Sequence, residues 1–322
     1  MNKFTVISIF AGCGGSSLGY KLAGFKELLA IDFDKNAEET FRINFPEIPF
    51  WNKDIKTIKG QDIINFCNIK KGELDILDGS PPCQGFSTAG KRKVIDERND
   101  LFKEYVRLIN DLEPKIFIME NVSGMIKGKM KGKFIEIMKT LKELDYNVKC
   151  KLLNAMYYNV PQNRQRLFFI GIRKDLNKEP IFPKPNYNVI TVKEALKNVK
   201  FEEVPELTKS VKLYVNKMKQ GQSLSDVNGK GYQTIRIYYH KPCPTLAKLK
   251  AAIGFGMLIH PTENRVLSIA EMKRLSSFPD DFIFSGKWID AKQRIGNAVM
   301  PNQMKAIAEI LKKEILEKGI KK

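Results

Sequence analysis

Short apolar runs alternate with helical patterns through the first half of the chain. Runs of strand length predict buried strands, and these are residues 5–10, 28–31, 74–77, 115–119 and 167–172. Apolar residues three and four apart predict amphipathic helices at 101–112 and 134–144, and a further helix is expected at 17–23. This alternation is typical of βαβ units, so the predicted fold class is α/β with a parallel sheet.

The pattern breaks down in the second half of the chain. From residue 174 to residue 264, two short β-like pieces at 187–192 and 234–239 lie among prolines and glycines. Helical patterns return at 268–276 and 301–316. We therefore predict a first domain made of residues 1–173 plus 265–322, with residues 174–264 as a separate lobe.

Charge favours a polyanionic partner. The chain carries 55 Lys and Arg against 36 Asp and Glu, a formal net charge of +19. A lysine-rich composition alone would raise that total, but the distribution is uneven, since residues 207–250 contain nine basic residues and a single acid, Asp226. A basic lobe of this kind indicates nucleic acid rather than an acidic small molecule.

Composition also sets aside several protein classes. No stretch approaches the roughly 20 apolar residues that a membrane span needs, and the first residues lack a signal-peptide pattern, so a soluble cytoplasmic protein is expected. The five cysteines show no CxxC spacing, and the two histidines are too few for a zinc set. Neither a disulfide framework nor a metal site is predicted.

A glycine loop follows the first strand. It runs from Phe10 to Gly15 and opens a helix, an arrangement that lets a ligand approach the backbone and the helix N-terminus. Asp32, at the end of the second strand, suits the hydroxyls of a ribose. By itself the loop is equally compatible with a structural turn. Ser17 stands where the third glycine of a dinucleotide fingerprint would be, which disfavours a nicotinamide oxidoreductase.

Cys83 lies in the most distinctive segment of the chain, residues 79–87, which read Gly-Ser-Pro-Pro-Cys-Gln-Gly-Phe-Ser. A lone cysteine is usually a small buried apolar residue. One placed between Pro-Pro and Gln-Gly at a strand end is held rigidly towards a cleft, as a nucleophile requires. The polar loop 88–99 that follows contains Arg92 and three further basic residues, so it could close over a phosphate backbone.

Two further groups of polar residues complete the candidate chemistry. Glu120 follows a predicted strand at the edge where ligands of open α/β sheets bind, although alone it would be an ordinary strand-end acid. Arg164 and Arg166 have the spacing that puts two side chains on one face of an extended segment. Together they could grip a phosphate and a base carbonyl; in isolation they would be a solvated basic edge.

Six ordered motifs together make the chain resemble the DNA (cytosine-5) methyltransferases, in particular the bacterial modification enzymes of restriction systems. The resemblance covers nearly the whole chain, and its motifs are residues 10–15, 79–87, 120–122, 162–166, 265–279 and 296–299. The chain departs from the family pattern at four positions, where it has Asp32 for Glu, Phe33 for Trp, Asn159 for Gly and Met300 for Pro.

The resemblance implies a Rossmann-like S-adenosylmethionine-dependent catalytic domain and a smaller, mainly irregular or β target recognition domain. It implies four catalytic residues, Cys83, Glu120, Arg164 and Arg166. Its implied cofactor contacts are Phe10, Ala11, Gly12, Cys13, Gly14, Gly15, Asp32, Phe33, Asp54, Ile55, Pro81, Asn297 and Ala298. Its implied DNA contacts are Gln84, Ser87, Arg92 and Thr245.

The family's reaction is methyl transfer from S-adenosylmethionine to carbon 5 of a cytosine that has been flipped out of double-stranded DNA. Cys83 would add to carbon 6 of the base, and Glu120 would act at N3. The resemblance implies no metal and no membrane partner. We expect a monomer; a cognate restriction endonuclease, if the system has one, would act separately.

Two alternatives remain at this point. A tRNA cytosine-5 methyltransferase of the same fold would share the adenosyl site and the pair Cys83 and Glu120; the run Gln-Gly-Phe-Ser and the large basic lobe favour DNA. A non-catalytic DNA-binding relative is disfavoured because Cys83, Glu120, Arg164 and Arg166 are all present.

Overall fold

A computed structural model describes residues 3–82, 99–229, 234–248, 253 and 256–319. In chain order its strands are β1 (Thr5–Ile9), β2 (Lys26–Asp32), β3 (Phe50–Asn52), β4 (Ile76–Gly79), β5 (Ile116–Val122), β6 (Tyr146–Asn154), β7 (Gln162–Asn163), β8 (Gln165–Arg173), β9 (Ile235–Arg236), β10 (Cys243–Pro244) and β11 (Leu258–Ile259). Its helices are α1 (Gly15–Leu22), α2 (Lys35–Asn44), α3 (Gly60–Cys67), α4 (Asn99–Leu112), α5 (Lys131–Glu143), α6 (Val192–Ala195), α7 (Lys209–Val215), α8 (Ser225–Asn228), α9 (Ile269–Leu275), α10 (Trp288–Asn297) and α11 (Pro301–Leu311).

The chain divides into two compact units. The first unit contains residues up to 153, residues 165–184 and the chain from residue 304 onward. The second unit contains residues 154–164 and 185–303. It therefore extends past residue 264, where the predicted lobe ends, because α9 and α10 contribute Met272, Leu275 and Ile295 to a core built with earlier residues of the same unit.

A seven-stranded sheet forms the centre of the first unit. Its strand order is β3-β2-β1-β4-β5-β8-β6. Each pair of neighbours among the first five of these strands is parallel. The predicted α/β class is confirmed, with one difference: β8 runs antiparallel to β5. The link from β6 to its neighbour β8 is only residues 155–164, shorter than the crossover that parallel neighbours need, so the chain direction reverses.

The main core of the first unit lies on one face of this sheet. Alternating strand residues such as Ile7, Leu77 and Phe117 are fully buried there. They pack against the apolar faces of α4 and α5, with Leu108 and Leu141 also fully buried. Strand residues that point to the other face, such as Ile76 and Ile118, are fully buried as well. Burial on both faces explains why these strands appear in the sequence as continuous apolar runs.

The end of the described chain is fastened to the first unit through lysines. Lys312, in a π-helical turn that follows α11, donates from Nζ to the carbonyl of Ala23 at 3.3 Å. Lys178 donates to the carbonyls of Glu314 and Ile315 at 3.0 and 3.1 Å. Residues far apart in sequence thus complete one unit.

The second unit is mostly irregular, with short helices and very short strands. The strand pairs β7 with β10 and β9 with β11 contain two residues each. The strand predicted at 187–192 is wrong, because residues 187–191 form no regular secondary structure and α6 begins at Val192. In the segment 234–239, only Ile235 and Arg236 form a strand. Among the described residues, no helix is long and apolar enough to cross a membrane.

Candidate active site

The glycine loop is folded tightly at the carboxyl end of β1. Phe10, Gly12 and Gly14 all have positive φ, at 57°, 56° and 91°. Gly14 has a second reason to lack a side chain, since a Cβ there would lie 2.4 Å from a ring carbon of Phe45. The Ala11 amide donates to the carbonyl of Ile31 at 3.0 Å. The loop is therefore held against the end of β2.

Asp32 joins the loop to the second strand. Its Oδ2 accepts the Gly12 amide at 2.8 Å, and its Oδ1 accepts the Asp34 amide at 2.9 Å. Burial raises the pKa of Asp32, and the backbone amides that donate to it oppose that rise. The carboxylate is thus fixed in orientation at the edge of the sheet.

A cavity of about 260 Å³ opens beside this loop, within the first unit. It is lined by Phe10, Ile31, Asp32, Phe33, Lys53, Asp54, Ile55, Lys56 and Leu101. Five of the nine had been predicted as cofactor contacts; sequence reasoning missed Ile31, Lys53, Lys56 and Leu101. The two lysines flank the predicted contacts Asp54 and Ile55 in the sequence, which is the signal that could have found them.

The chemistry of this lining suits a nucleoside. Phe10, Phe33 and Ile55 supply apolar and aromatic surface for a flat base, and the Phe33 side chain is 68% exposed. Asp32 and Asp54 supply carboxylates for a ribose diol or for amino groups. Asp54 is fixed because its Oδ1 accepts the Lys56 amide at 3.0 Å. The residues present therefore fit an adenosyl group.

Glu120 and Arg166 form an ion pair, with 2.9 Å between Oε1 and Nε. The pairing of β5 with β8 places Val122 opposite Arg166, so Glu120 and Arg166 are diagonal neighbours on one face. Their side chains are 11% and 15% exposed, respectively. This partial exposure leaves a charged, hydrogen-bonding pair open to a substrate.

Asn121 connects the same strand end to the segment that leads into Cys83. Its Nδ2 donates to the carbonyl of Pro81 at 3.2 Å. Four predicted site residues, Cys83, Gln84, Ser87 and Arg92, lie outside the described residues. Their assigned roles stay predictions, as does the role of Pro81 in cofactor binding.

Arg164 is placed differently from Arg166. It is 1% exposed, within the second unit, and donates to the carbonyls of Leu246, Gly296 and Ala298 at 2.9 to 3.1 Å. These bonds join chain segments of the second unit that lie far apart in sequence. The catalytic role expected for Arg164 stays a prediction.

The remaining predicted site residues also belong to the second unit. Thr245 is exposed and donates to the carbonyl of Asn163 at 2.8 Å. Asn297 is exposed at the end of α10. Ala298 is buried, and its amide donates to the backbone carbonyl of Arg294. Their proposed contacts with DNA and cofactor stay predictions.

Two of the departures from the family pattern have a simple structural account. Asn159 has φ 56°, a left-handed conformation that asparagine tolerates better than most residues. Met300 is 1% exposed and fills space in the interior. In the part of the chain that the structure describes, no three His, Cys, Asp or Glu residues are grouped as metal ligands.

Comparison with known proteins agrees with this architecture. The family model described as C-5 cytosine-specific DNA methylase matches residues 4–313. The Type II methyltransferase M1.HphI of Haemophilus parahaemolyticus is 36% identical over 97% of this chain and 87% of its own length. The Type II methyltransferase M.Sau96I of Staphylococcus aureus is 37% identical over 96% of this chain and 75% of its own.

Solved structures show the same fold. A crystal structure described as a DNA modification methyltransferase encoded within an E. coli prophage superposes with a TM-score of 0.81 at 26% identity, covering 98% of this chain and all of the other. The DNMT2 mutant of Spodoptera frugiperda gives a TM-score of 0.68 at 20% identity, with 96% and 99% of the two chains covered. This second likeness concerns the fold alone.

Proposed function

This chain belongs to the C-5 cytosine-specific DNA methylases, and on that premise we propose that it transfers a methyl group from S-adenosylmethionine to a cytosine flipped out of a specific double-stranded DNA sequence. We propose that it is the modification enzyme of a restriction system, acting as a monomer and separately from any cognate endonuclease.

One observation carries the proposal: the nucleoside-compatible cavity, the strand leading to Cys83 and the Glu120–Arg166 pair all lie at the carboxyl edge of one sheet. The cavity lies at the ends of β1 and β2, and β4 and β5 follow next in the strand order. The carboxyl edge is where open α/β sheets bind ligands. A cofactor and a reacting base could therefore meet there.

S-adenosylmethionine, when bound, supplies an activated methyl group for carbon 5. In the chain, Phe10 and Phe33 would contact the adenine, Asp32 the ribose hydroxyls, and the backbone of residues 12–15 the methionine part. The two aromatic rings would provide apolar surface for the base, and Asp32 is held in position by two amides. These residues bind and orient without taking part in bond changes.

Cytosine carbon 5 is a weak nucleophile, so the ring must first be activated. The Cys83 thiolate would add to carbon 6, forming a carbon–sulfur bond and pushing an electron pair towards N3 and carbon 5. When carbon 5 bonds the methyl group, the bond between that methyl group and the sulfonium sulfur would break and leave a neutral thioether. Carbon 5 would then lose its proton to a base, and the bond between Cys83 and carbon 6 would break. The aromatic ring is then restored and the thiolate regenerated.

Glu120 and Arg166 would stabilise the charge that develops during this addition. N3 of cytosine accepts hydrogen bonds, so a carboxyl group that binds it must carry a proton and donate it. Arg166 would hold the exocyclic oxygen or a neighbouring phosphate. The ion pair between Glu120 and Arg166, observed at 2.9 Å, would therefore open when the base enters, so that each side chain contacts the substrate.

The basic segment 207–250 belongs to the second unit and would contact DNA. Its lysines and arginines would bind phosphates, while a few side chains such as Thr245 would contact bases. Because phosphate contacts release counterions, we expect DNA affinity to fall steeply with salt. In this proposal the lobe of residues 174–264 is the target recognition domain.

A covalent trap tests the function directly. A duplex containing 5-fluorocytosine at the methylated site should form an adduct with the protein in the presence of S-adenosylmethionine, because fluorine cannot leave as a proton. Cys83→Ser should abolish both the adduct and transfer of labelled methyl groups, since a hydroxyl is a far weaker nucleophile.

Cys67→Ser is the matched control, because Cys67 lies at the end of α3 and is half-buried. It should keep full adduct formation. Transfer RNA serves as the parallel substrate. Methylation of tRNA without methylation of DNA, or retained turnover in Cys83→Ser, would overturn the proposal.

A further inference from the structure

The segment of residues 54–60 contributes to the lining of the nucleoside-compatible cavity. Asp54, Ile55 and Lys56 line the cavity, and residues 55–57 form a short 3-10 turn between β3 and α3. A single turn of this kind has few hydrogen bonds of its own and of poorer geometry than those of an α-helix. Its position therefore depends on the elements that it contacts.

Arg107, on α4, binds this turn through its guanidinium group. Its Nη2 donates to the carbonyl of Ile58 at 2.8 Å and to that of Ile55 at 3.3 Å. Ile55 begins the turn and Ile58 follows its last residue. Both isoleucines are also buried in the main core of the first unit. One side chain thus holds both ends of the turn.

Asp111 fastens the end of the segment to the same helix. Its Oδ2 accepts Nη1 of Arg107 at 3.0 Å and the amide of Gly60 at 3.2 Å. The approach is close, since a Cβ at Gly60 would lie 2.2 Å from the Cβ of Asp111. Glu104 accepts Nε of Arg107 at 2.8 Å. The guanidinium is therefore oriented by carboxylates one turn before it and one turn after it.

Helix α4 supports these contacts independently of Arg107. Its Tyr105, Leu108 and Ile109 are fully buried in the main core, whereas the Arg107 side chain is 35% exposed. Arg107 is not one of the nine described residues that line the cavity, although α4 supplies Leu101 to that lining. Arg107 can therefore act on a ligand in the cavity only through the segment that it holds.

We propose that Arg107 is a positioning residue of the cofactor site, because it holds Asp54 and Ile55 in the arrangement that receives the adenosyl group. This inference rests on the proposed function, in which that group occupies the cavity. Without the guanidinium, the turn would adopt the receptive arrangement for only part of the time. Apparent affinity falls in proportion to that fraction, even though no direct contact with the ligand is lost.

The experiment measures S-adenosylmethionine binding to the full chain carrying Arg107→Met, by isothermal titration calorimetry. The dissociation constant should rise roughly fivefold, as expected if the receptive arrangement is populated for about one-fifth of the time. In steady-state methylation of duplex DNA, KM for S-adenosylmethionine should rise by a similar factor. The value of kcat should change little, since no group at the reacting atoms is altered. A general loss of folded enzyme would instead lower kcat and leave KM unchanged.

Arg173→Met is the matched control. Arg173 also donates to two backbone carbonyls, those of Gly72 and Glu113, and pairs with Asp175, but none of these four described residues lines the cavity. This variant should bind S-adenosylmethionine as the wild type does.

Arg107→Lys is the second variant in case Arg107→Met folds poorly. Its ammonium group has three donors on one nitrogen and replaces only some of the guanidinium contacts, so its dissociation constant should lie between those of the wild type and Arg107→Met. Wild-type affinity in a folded Arg107 variant, or an equal loss of affinity in Arg173→Met, overturns the proposal.

Hydrogen exchange tests the same contacts without cofactor or turnover. The amides of Thr57 and Ile58 donate to the carbonyls of Asp54 and Ile55 at 3.0 and 3.3 Å. In Arg107→Met these two amides should exchange faster than in the wild type, because the turn opens locally. Unchanged exchange would count against the inference as decisively as unchanged affinity. If the wild type binds no S-adenosylmethionine, the proposed function fails instead, and exchange still decides whether Arg107 holds the turn.

Discussion

Arg164 and Arg166 stand two residues apart in the sequence, yet they occupy opposite kinds of environment. Arg164 is buried in the second unit and donates to three backbone carbonyls. Arg166 is in the first unit, partly exposed and paired with Glu120. A guanidinium whose donors end on the protein's own backbone supports the fold. One that faces a carboxylate at a sheet edge remains available for a substrate.

The largest expected effect that would sharpen this contrast is on folding. Arg164→Leu should lower the free energy of unfolding by roughly 3 kcal/mol or more, because three buried carbonyls lose their donors. Urea unfolding followed by circular dichroism measures the loss. Arg164→Lys keeps the charge but has fewer and less well-placed donors, so its free energy of unfolding should lie between those of the wild type and Arg164→Leu. A loss below about 1 kcal/mol in Arg164→Leu would place Arg164 among ordinary surface residues.

The second effect is on chemistry. Arg166→Leu should slow methyl transfer by about 100-fold, since a charge-stabilising group is lost. Its urea midpoint should stay closer to that of the wild type than the midpoint of Arg164→Leu does, because one ion pair is lost instead of three hydrogen bonds to buried carbonyls. Single-turnover rates and unfolding curves on the same preparations separate the two properties. The comparison breaks if this variant unfolds as readily as Arg164→Leu and keeps its rate.

The smallest effect concerns a residue that combines both kinds of contact. Asp32 accepts two amides from its own chain and also lines the cavity. Asp32→Asn should weaken S-adenosylmethionine binding by roughly tenfold, because a charged acceptor for the ribose becomes neutral. Isothermal titration calorimetry provides the measurement. Asp34→Asn is the control, since Asp34 caps α2 without lining the cavity; equal affinities in the two variants would remove Asp32 from the binding site.

Much of the first unit was predictable, because its sheet is buried on both faces and its strands are apolar runs. The predicted strand at 5–10 corresponds to β1, and the predicted helix at 101–112 to α4. Strand β6 was not predicted because its residues alternate between polar and apolar. Helix α2 was not predicted because most of its residues are polar. Continuous hydrophobicity, on which the prediction depended, was missing in both.

The candidate site also contains a part that was predictable from the sequence and a part that was not. The glycine loop and Asp32 were predictable because local sequence determines a turn between a strand and a helix. The partner of Glu120 was not, because it depends on β8 running antiparallel and pairing as far as Val122. The residues around Glu120 determine neither the direction of β8 nor its register. The same holds for Arg164, whose acceptors lie 82 to 134 positions further along the chain.

The lysine contacts that fasten residues 312–315 to Ala23 and Lys178 have a consequence for biosynthesis. During translation, the strands of the first unit leave the ribosome well before their last partners have been made. The growing chain must therefore wait in an incomplete form while the intervening second unit is synthesised, and apolar surface stays exposed meanwhile. Slow synthesis or early termination would prolong that interval and make it the stage at which the protein is most prone to aggregate.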